Sequence, residues 1–198
     1  MEHTQYQCSA QTRQKLIDAV IRLAHLKNYR TITVQEICQS AGVSTGSFYH
    51  QFGTKDEVVM AAYQSVDWLL TDQFTAENRR LPPLEALDSL LRRYLLYARD
   101  EVGLVLAQYY KVLLNHPTPH RCDSNRPYCR EIKRILLRAM DGGLISRAYD
   151  PEELTDAIMR LIRGLLFDWV IQGGAFDLLL RYRTEFQIFL GGIRISAE

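Results

Sequence analysis

The sequence predicts an all-α chain of about nine helices, with an N-terminal three-helix helix-turn-helix domain and a C-terminal helical bundle. Three observations carry this. Apolar residues recur three and four apart along most of the 198 residues. Ser, Thr, Asp and Pro stand at the starts of these segments, and Gly or Asn at several of their ends. No stretch alternates apolar with polar residues, and no hairpin signal or internal repeat is found.

Taken in order, Leu16, Ile17, Val20, Leu23 and Ala24 mark a first helix over 9–27, and Asn28 stands where a left-handed residue would end it. Tyr29 and Ile32 close a small core behind it. Thr33 and Glu36 have capping-box spacing, which starts a second helix at Val34. Ile37, Cys38 and Ala41 form its inner face, and Gly42 supplies the turn. Ser44 caps a third helix anchored by Phe48 and Phe52, leaving Thr45, Ser47, Tyr49 and His50 outward. Two helices joined by a Gly turn, the second with a polar outer face, suit a reader of the DNA major groove. Thr54 and Glu57 repeat the capping-box spacing, so a fourth helix begins at Lys55, with a cation beside amides that favour anions. Its apolar residues predict continuation to about Thr75.

Ile37, the run Ala41-Gly42-Val43-Ser44, Gly46, Tyr49, Phe52 and Lys55 together resemble the signature of the TetR (tetracycline repressor) family of bacterial regulators. The motif resemblance covers residues 10–60; beyond them only the helical layout matches. Cys38 stands where that family usually has alanine, a small-for-small change. The resemblance implies a DNA-binding transcriptional regulator, a repressor released when a small organic molecule binds the C-terminal bundle. It also implies a homodimer paired through its two C-terminal helices on a pseudo-palindromic operator. The expected DNA contacts are Thr33, Ser44, Thr45, Gly46, Ser47, Tyr49, His50 and Lys55. Thr45 and Ser47 would offer hydroxyls to base edges, and Thr33, Tyr49, His50 and Lys55 would lie on or near phosphates. No Arg, Lys, Asn or Gln occupies the N-terminal half of the reading helix, so hydroxyls, a thymine-methyl contact and DNA shape must supply the selectivity.

Charge is consistent with local recognition. Lys plus Arg number 24 against 23 Asp plus Glu, a net charge of +1, so no global basic field drives indiscriminate binding. Residues 1–60 hold the cations Arg13, Lys15, Arg22, Lys27, Arg30 and Lys55 against a nearly equal number of acids, which predicts a modest salt dependence. The polar start MEHTQYQCSA lacks the apolar core of a signal peptide, and with four cysteines this points to a reducing cytoplasm. The most apolar segment, 157–171, is interrupted by Arg160, Arg163 and Asp168, so no membrane span is expected.

The domain boundary is expected at Thr54/Lys55, with residues 1–54 reading DNA and 55–198 binding ligand and dimerising. Pro82-Pro83 sets up a helix over 84–99, and 103–114 forms another that His116-Pro117 stops. A polar loop fills 117–127. Further helices follow over 128–140, from an Asp150 cap to about Gln172, and over 176–190, with Gly pairs ending the first two. The last two are apolar on more than one side, which implies a partner face. Tyr63, Tyr94, Tyr97, Tyr110 and Trp169 are the candidate ligand contacts, since helical pockets are lined by aromatics. His116, His120, Cys122 and Cys129 bring soft-metal ligand types together, making a metal- or redox-responsive regulator the alternative. Their spacing matches no zinc finger. No cofactor and no catalytic constellation is read, so an enzyme is not expected, and a non-reading interaction bundle is the remaining class.

Overall fold

The computed structural model describes residues 2–64, 69–115 and 126–195, and the side chains of 9–62, 69–115 and 126–195. The described residues are all-α apart from one isolated antiparallel bridge, Ile145 with Arg194. The chain divides into two compact units, Met1–Ser65 with Asp100–Pro117, and Val66–Arg99 with Thr118–Glu198.

In the first unit, α1 (Glu2–Leu26) packs on α2 (Val34–Ala41), α3 (Thr45–Gln51) and α4 (Lys55–Gln64). Leu16, Ile17, Ala19 and Val20 of α1 meet Ile37, Phe48, Phe52, Val58 and Ala62 in a core where each is at most 2% exposed. Burying each of the Leu, Ile, Val and Phe side chains contributes about 1.5–3 kcal/mol, so three short helices hold together that would not persist singly. Asn28 departs from expectation. Its φ of −60° is not left-handed; its side-chain oxygen accepts from the Arg30 amide and so starts a 3₁₀ turn, Tyr29–Thr31. The unit also contains α7 (Leu106–Asn115), packed on α4.

The fourth helix does not run to Thr75. α4 is described as far as Gln64, and Thr71, at φ −64° and ψ 153°, accepts from the Phe74 amide and begins α5 (Asp72–Arg80). A Thr hydroxyl followed by an acid in the first turn is a start signal, and it overrides the apolar periodicity that suggested continuation. The polar stretch 77–80 is thus helical. Within the second unit α5 packs on α6 (Pro83–Tyr97), which also meets α8 (Pro127–Asp141), α9 (Pro151–Ile171) and α10 (Leu178–Ile193). Asp150 caps α9 as its sequence implies, accepting from the Glu152 and Glu153 amides. Gly143, Gly173 and Gly174 take positive φ where the two Gly pairs end helices.

Between α6 and α7 the backbone passes through a π-turn, Ala98–Val102, and a 3₁₀ turn, Gly103–Val105. The boundary between the two units, Arg99/Asp100, falls inside that π-turn. Among the described residues no helix is long and apolar enough to cross a membrane.

Candidate nucleic-acid interface

The α2–turn–α3 hairpin is fixed at each end by short polar bonds. Thr33 and Glu36 form both halves of a capping box: the Glu36 amide donates to Thr33 Oγ1 at 3.2 Å and the Thr33 amide to Glu36 Oε2 at 2.8 Å. Lys27 pairs with Glu36, and these bonds lower the Glu36 carboxyl to about 2. Gly42 ends α2 at φ 67°, a conformation that costs a residue with a Cβ about 1–2 kcal/mol. Ser44 caps α3 through the Ser47 amide at 3.0 Å, and the two hydroxyls lie 2.9 Å apart.

Of the residues assigned to DNA contact, Thr33, Ser44, Thr45, Gly46, Tyr49 and His50 are exposed, while Ser47 and Lys55 are half-buried. Tyr49 is 58% exposed, with its ring edge-on to the buried Phe48 at 5.3 Å between centroids. A Cβ on Gly46 would meet only Ser44 Oγ, at 3.7 Å, so packing within the chain does not demand glycine there. Cys38 is buried beneath α3; burial pushes its thiol up, and a hydrogen bond with the Thr45 side chain pulls it the other way.

Lys55 is turned partly inward. Its Nζ donates to the carbonyls of Ile32 at 2.8 Å and Tyr29 at 3.1 Å and sits 4.4 Å from the Tyr29 ring centroid. An ammonium has three donors, so one remains for an outside acceptor. The Thr54–Glu57 pair is not a full capping box. The Glu57 amide donates to Thr54 Oγ1 at 3.3 Å, but the Glu57 carboxylate reaches past Thr54 to the Gly53 amide at 2.9 Å.

Sequence reasoning missed the contribution of α1. Ser9, Thr12 and Gln51 join Ser44, Gly46, Ser47 and His50 around an open depression of about 460 Å³. Ser9 and Thr12 share a face of α1 by their i, i+3 spacing, but only the tertiary packing brings that face beside α3.

The predicted ligand contacts belong to both units. Tyr63 and Tyr110 belong to the first unit and Tyr94, Tyr97 and Trp169 to the second. The Tyr63 side chain lies outside the described residues. Tyr97 and Tyr110 are half-buried, whereas Tyr94 is 2% exposed and packs on Tyr128 at 5.3 Å between ring centroids. The Trp169 ring lies against Gly174, where a Cβ would stand 3.3 Å from it. His116, His120 and Cys122 also fall outside the described residues. Cys129 is buried and disulfide-bonded, which removes its thiolate from a metal-ligand set. Among the described residues, no group of three or more His, Cys, Asp or Glu could hold a metal ion.

Residues 16–62 match the sequence profile described as "Bacterial regulatory proteins, tetR family". The chain is 30% identical over 191 residues to the HTH-type transcriptional repressor KstR2 of Mycobacterium tuberculosis, covering 91% of this chain and 92% of that protein. It is 32% identical over 174 residues to the HTH-type transcriptional regulator CymR of Pseudomonas putida, covering 82% and 81%. In fold it resembles the Thermus thermophilus FadR repressor solved in complex with lauroyl-CoA, with a TM-score of 0.67 at 21% identity over 94% of this chain and 97% of that one.

Proposed function

The chain belongs to the TetR family of DNA-binding transcriptional regulators, and from that premise we propose that it is a repressor released from its operator by a small organic effector. The observation that carries the reading of DNA is the outer face of α3. Thr45, Tyr49 and His50 are exposed on a helix whose inner residue Phe48 is fully buried, so this face is held rigidly toward solvent. In this reading Thr45 and Ser47 meet base edges, Gly46 admits the DNA backbone, and Thr33, Ser44, Tyr49, His50 and the remaining donor of Lys55 address phosphates.

A homodimer paired through α9 and α10 accounts for their uncovered faces. Gly164 and Ile171 share one face of α9, and Leu180, Thr184 and Ile188 share one face of α10, all exposed. Two reading helices then lie about 34 Å or a multiple apart and select a pseudo-palindrome. The effector binds the helical bundle of the second unit. Support comes from solved relatives of the same fold, which hold lauroyl-CoA, stearoyl-CoA and resorcinol. The chain passes from the second unit into the first within the π-turn at Ala98–Val102, and just beyond it a Cβ on Gly103 would meet His25 of α1, so coupling to α3 is assigned to this connection.

Selection of duplexes by the purified chain from a library with a randomised centre tests this. Enrichment of an inverted repeat is expected; recovery of no common sequence would contradict it.

A further inference from the structure

α3 has seven residues, too few for a helix to persist unaided. Ser44 holds its start. Its end is held from α1: Arg13 Nη1 donates to the Gln51 carbonyl at 3.2 Å, and the guanidinium lies 4.3 Å from the Phe52 ring centroid. The Gln51 side chain in turn donates to Ser9 Oγ at 2.8 Å. Phe52 leaves the helix at φ −144°, so the last carbonyls of α3 lack further partners along the helix, and a cation there also meets the negative end of the helix dipole.

We infer that Arg13 is a positioning residue for DNA reading, clamping the C-terminal end of α3 to α1 and so fixing how Thr45, Ser47 and Tyr49 are presented. The inference rests on the assignment of α3 as the reading helix. A planar guanidinium can cap a carbonyl and lie on a ring at once; an ammonium can do the first but not present a flat face for the second. Its place on a carbonyl and a ring distinguishes Arg13 from a phosphate ligand. Releasing it lets α3 rotate or fray at the end that carries Tyr49 and His50, which damages sequence discrimination more than electrostatic attachment. Arg22 treats α2 similarly, donating to the Ser40 carbonyl at 3.0 Å, but α2 does not carry the reading face.

The test uses the full chain, the duplex it selects from the randomised library, and a scrambled duplex of equal length. Arg13→Gln is expected to lower affinity for the selected duplex about tenfold, to change affinity for the scrambled one by less than about twofold, and to leave the salt slope as in the wild type. Arg13→Lys keeps a donor but not the stacked plane, and its discrimination is expected to fall about threefold. If Arg13→Gln fails to fold by circular dichroism, the lysine variant decides alone. A slope shallower by about 0.9 would make Arg13 a phosphate ligand and overturn the inference. So would equal losses on both duplexes, or wild-type discrimination in the variants. If the wild type itself selects no duplex, the reading of α3 fails, and the inference fails with it.

Discussion

Lys55 Nζ donates to the Ile32 carbonyl oxygen at 2.8 Å, across a separation of 23 residues. A cation expected to face DNA is thereby also a strut between α4 and the segment leading into α2. Replacing Lys55 by Met removes two charge-assisted bonds, and the domain should lose about 1.5–3 kcal/mol in denaturant melts. The same variant should lower the slope of log affinity against log salt by about 0.9 on the selected duplex, since the third ammonium donor is the one assigned to phosphate. A loss of stability with an unchanged slope would confine Lys55 to the strut.

Internal use of cations extends beyond Lys55. Arg13, Arg22 and Lys27 are engaged with Gln51, Ser40 and Glu36. Sequence could count these charges but not their partners, because those with Gln51 and Ser40 are side chain to backbone bonds spanning 38 and 18 residues. By contrast the capping box at Thr33, the left-handed Gly42 and the Ser44 cap depend on residues within a turn of each other and were legible outright. The same contrast explains α5: the Thr71 cap was visible in the chain, yet the apolar residues before it invited one long helix. For the candidate ligand aromatics, helical periodicity does not distinguish a residue lining a cavity from one packed on a neighbouring ring, and Tyr94 lies 5.3 Å from Tyr128 between ring centroids.

Acid should loosen the hairpin through Glu36. Its folded pKa, about 2, lies below the ordinary value of 4.5, so its contribution is complete above pH 4.5 and is lost as pH falls toward 2. Melting midpoints of the wild type should drop across that window. Glu36→Gln should flatten this part of the profile.

Base should act through Tyr29 and Tyr182. Burial, and then the carboxylates of Asp56 and Asp88 that accept their hydroxyl hydrogens, raise both phenols well above the ordinary value of 10. Protons are then held more tightly in the folded chain. Stability is therefore full below pH 10 and declines above it, as the unfolded chain ionises first. Tyr182→Phe should lessen the fall in melting midpoint above pH 10, at a cost in stability near neutrality from the hydrogen bond it removes.

Gly103 holds φ +57°, and a Cβ there would stand 2.7 Å from His25 Cε1. Gly103→Ala should destabilise by about 1–2 kcal/mol from backbone strain alone, and by more where His25 must give up its 3.0 Å contact with the Glu101 carbonyl. A His25→Ala change in the same chain should recover the steric part and leave the backbone part, which a double-mutant cycle of melting energies will separate.

The claim that α3 reads DNA from an exposed, arginine-free face is tested most directly by anisotropy titrations of the selected duplex with wild type and with Tyr49→Ala. Tyr49 is exposed and its removal leaves the core intact, so the melting midpoint should hold while affinity for the selected duplex falls about tenfold. Unchanged affinity in a variant shown to be folded would contradict the account.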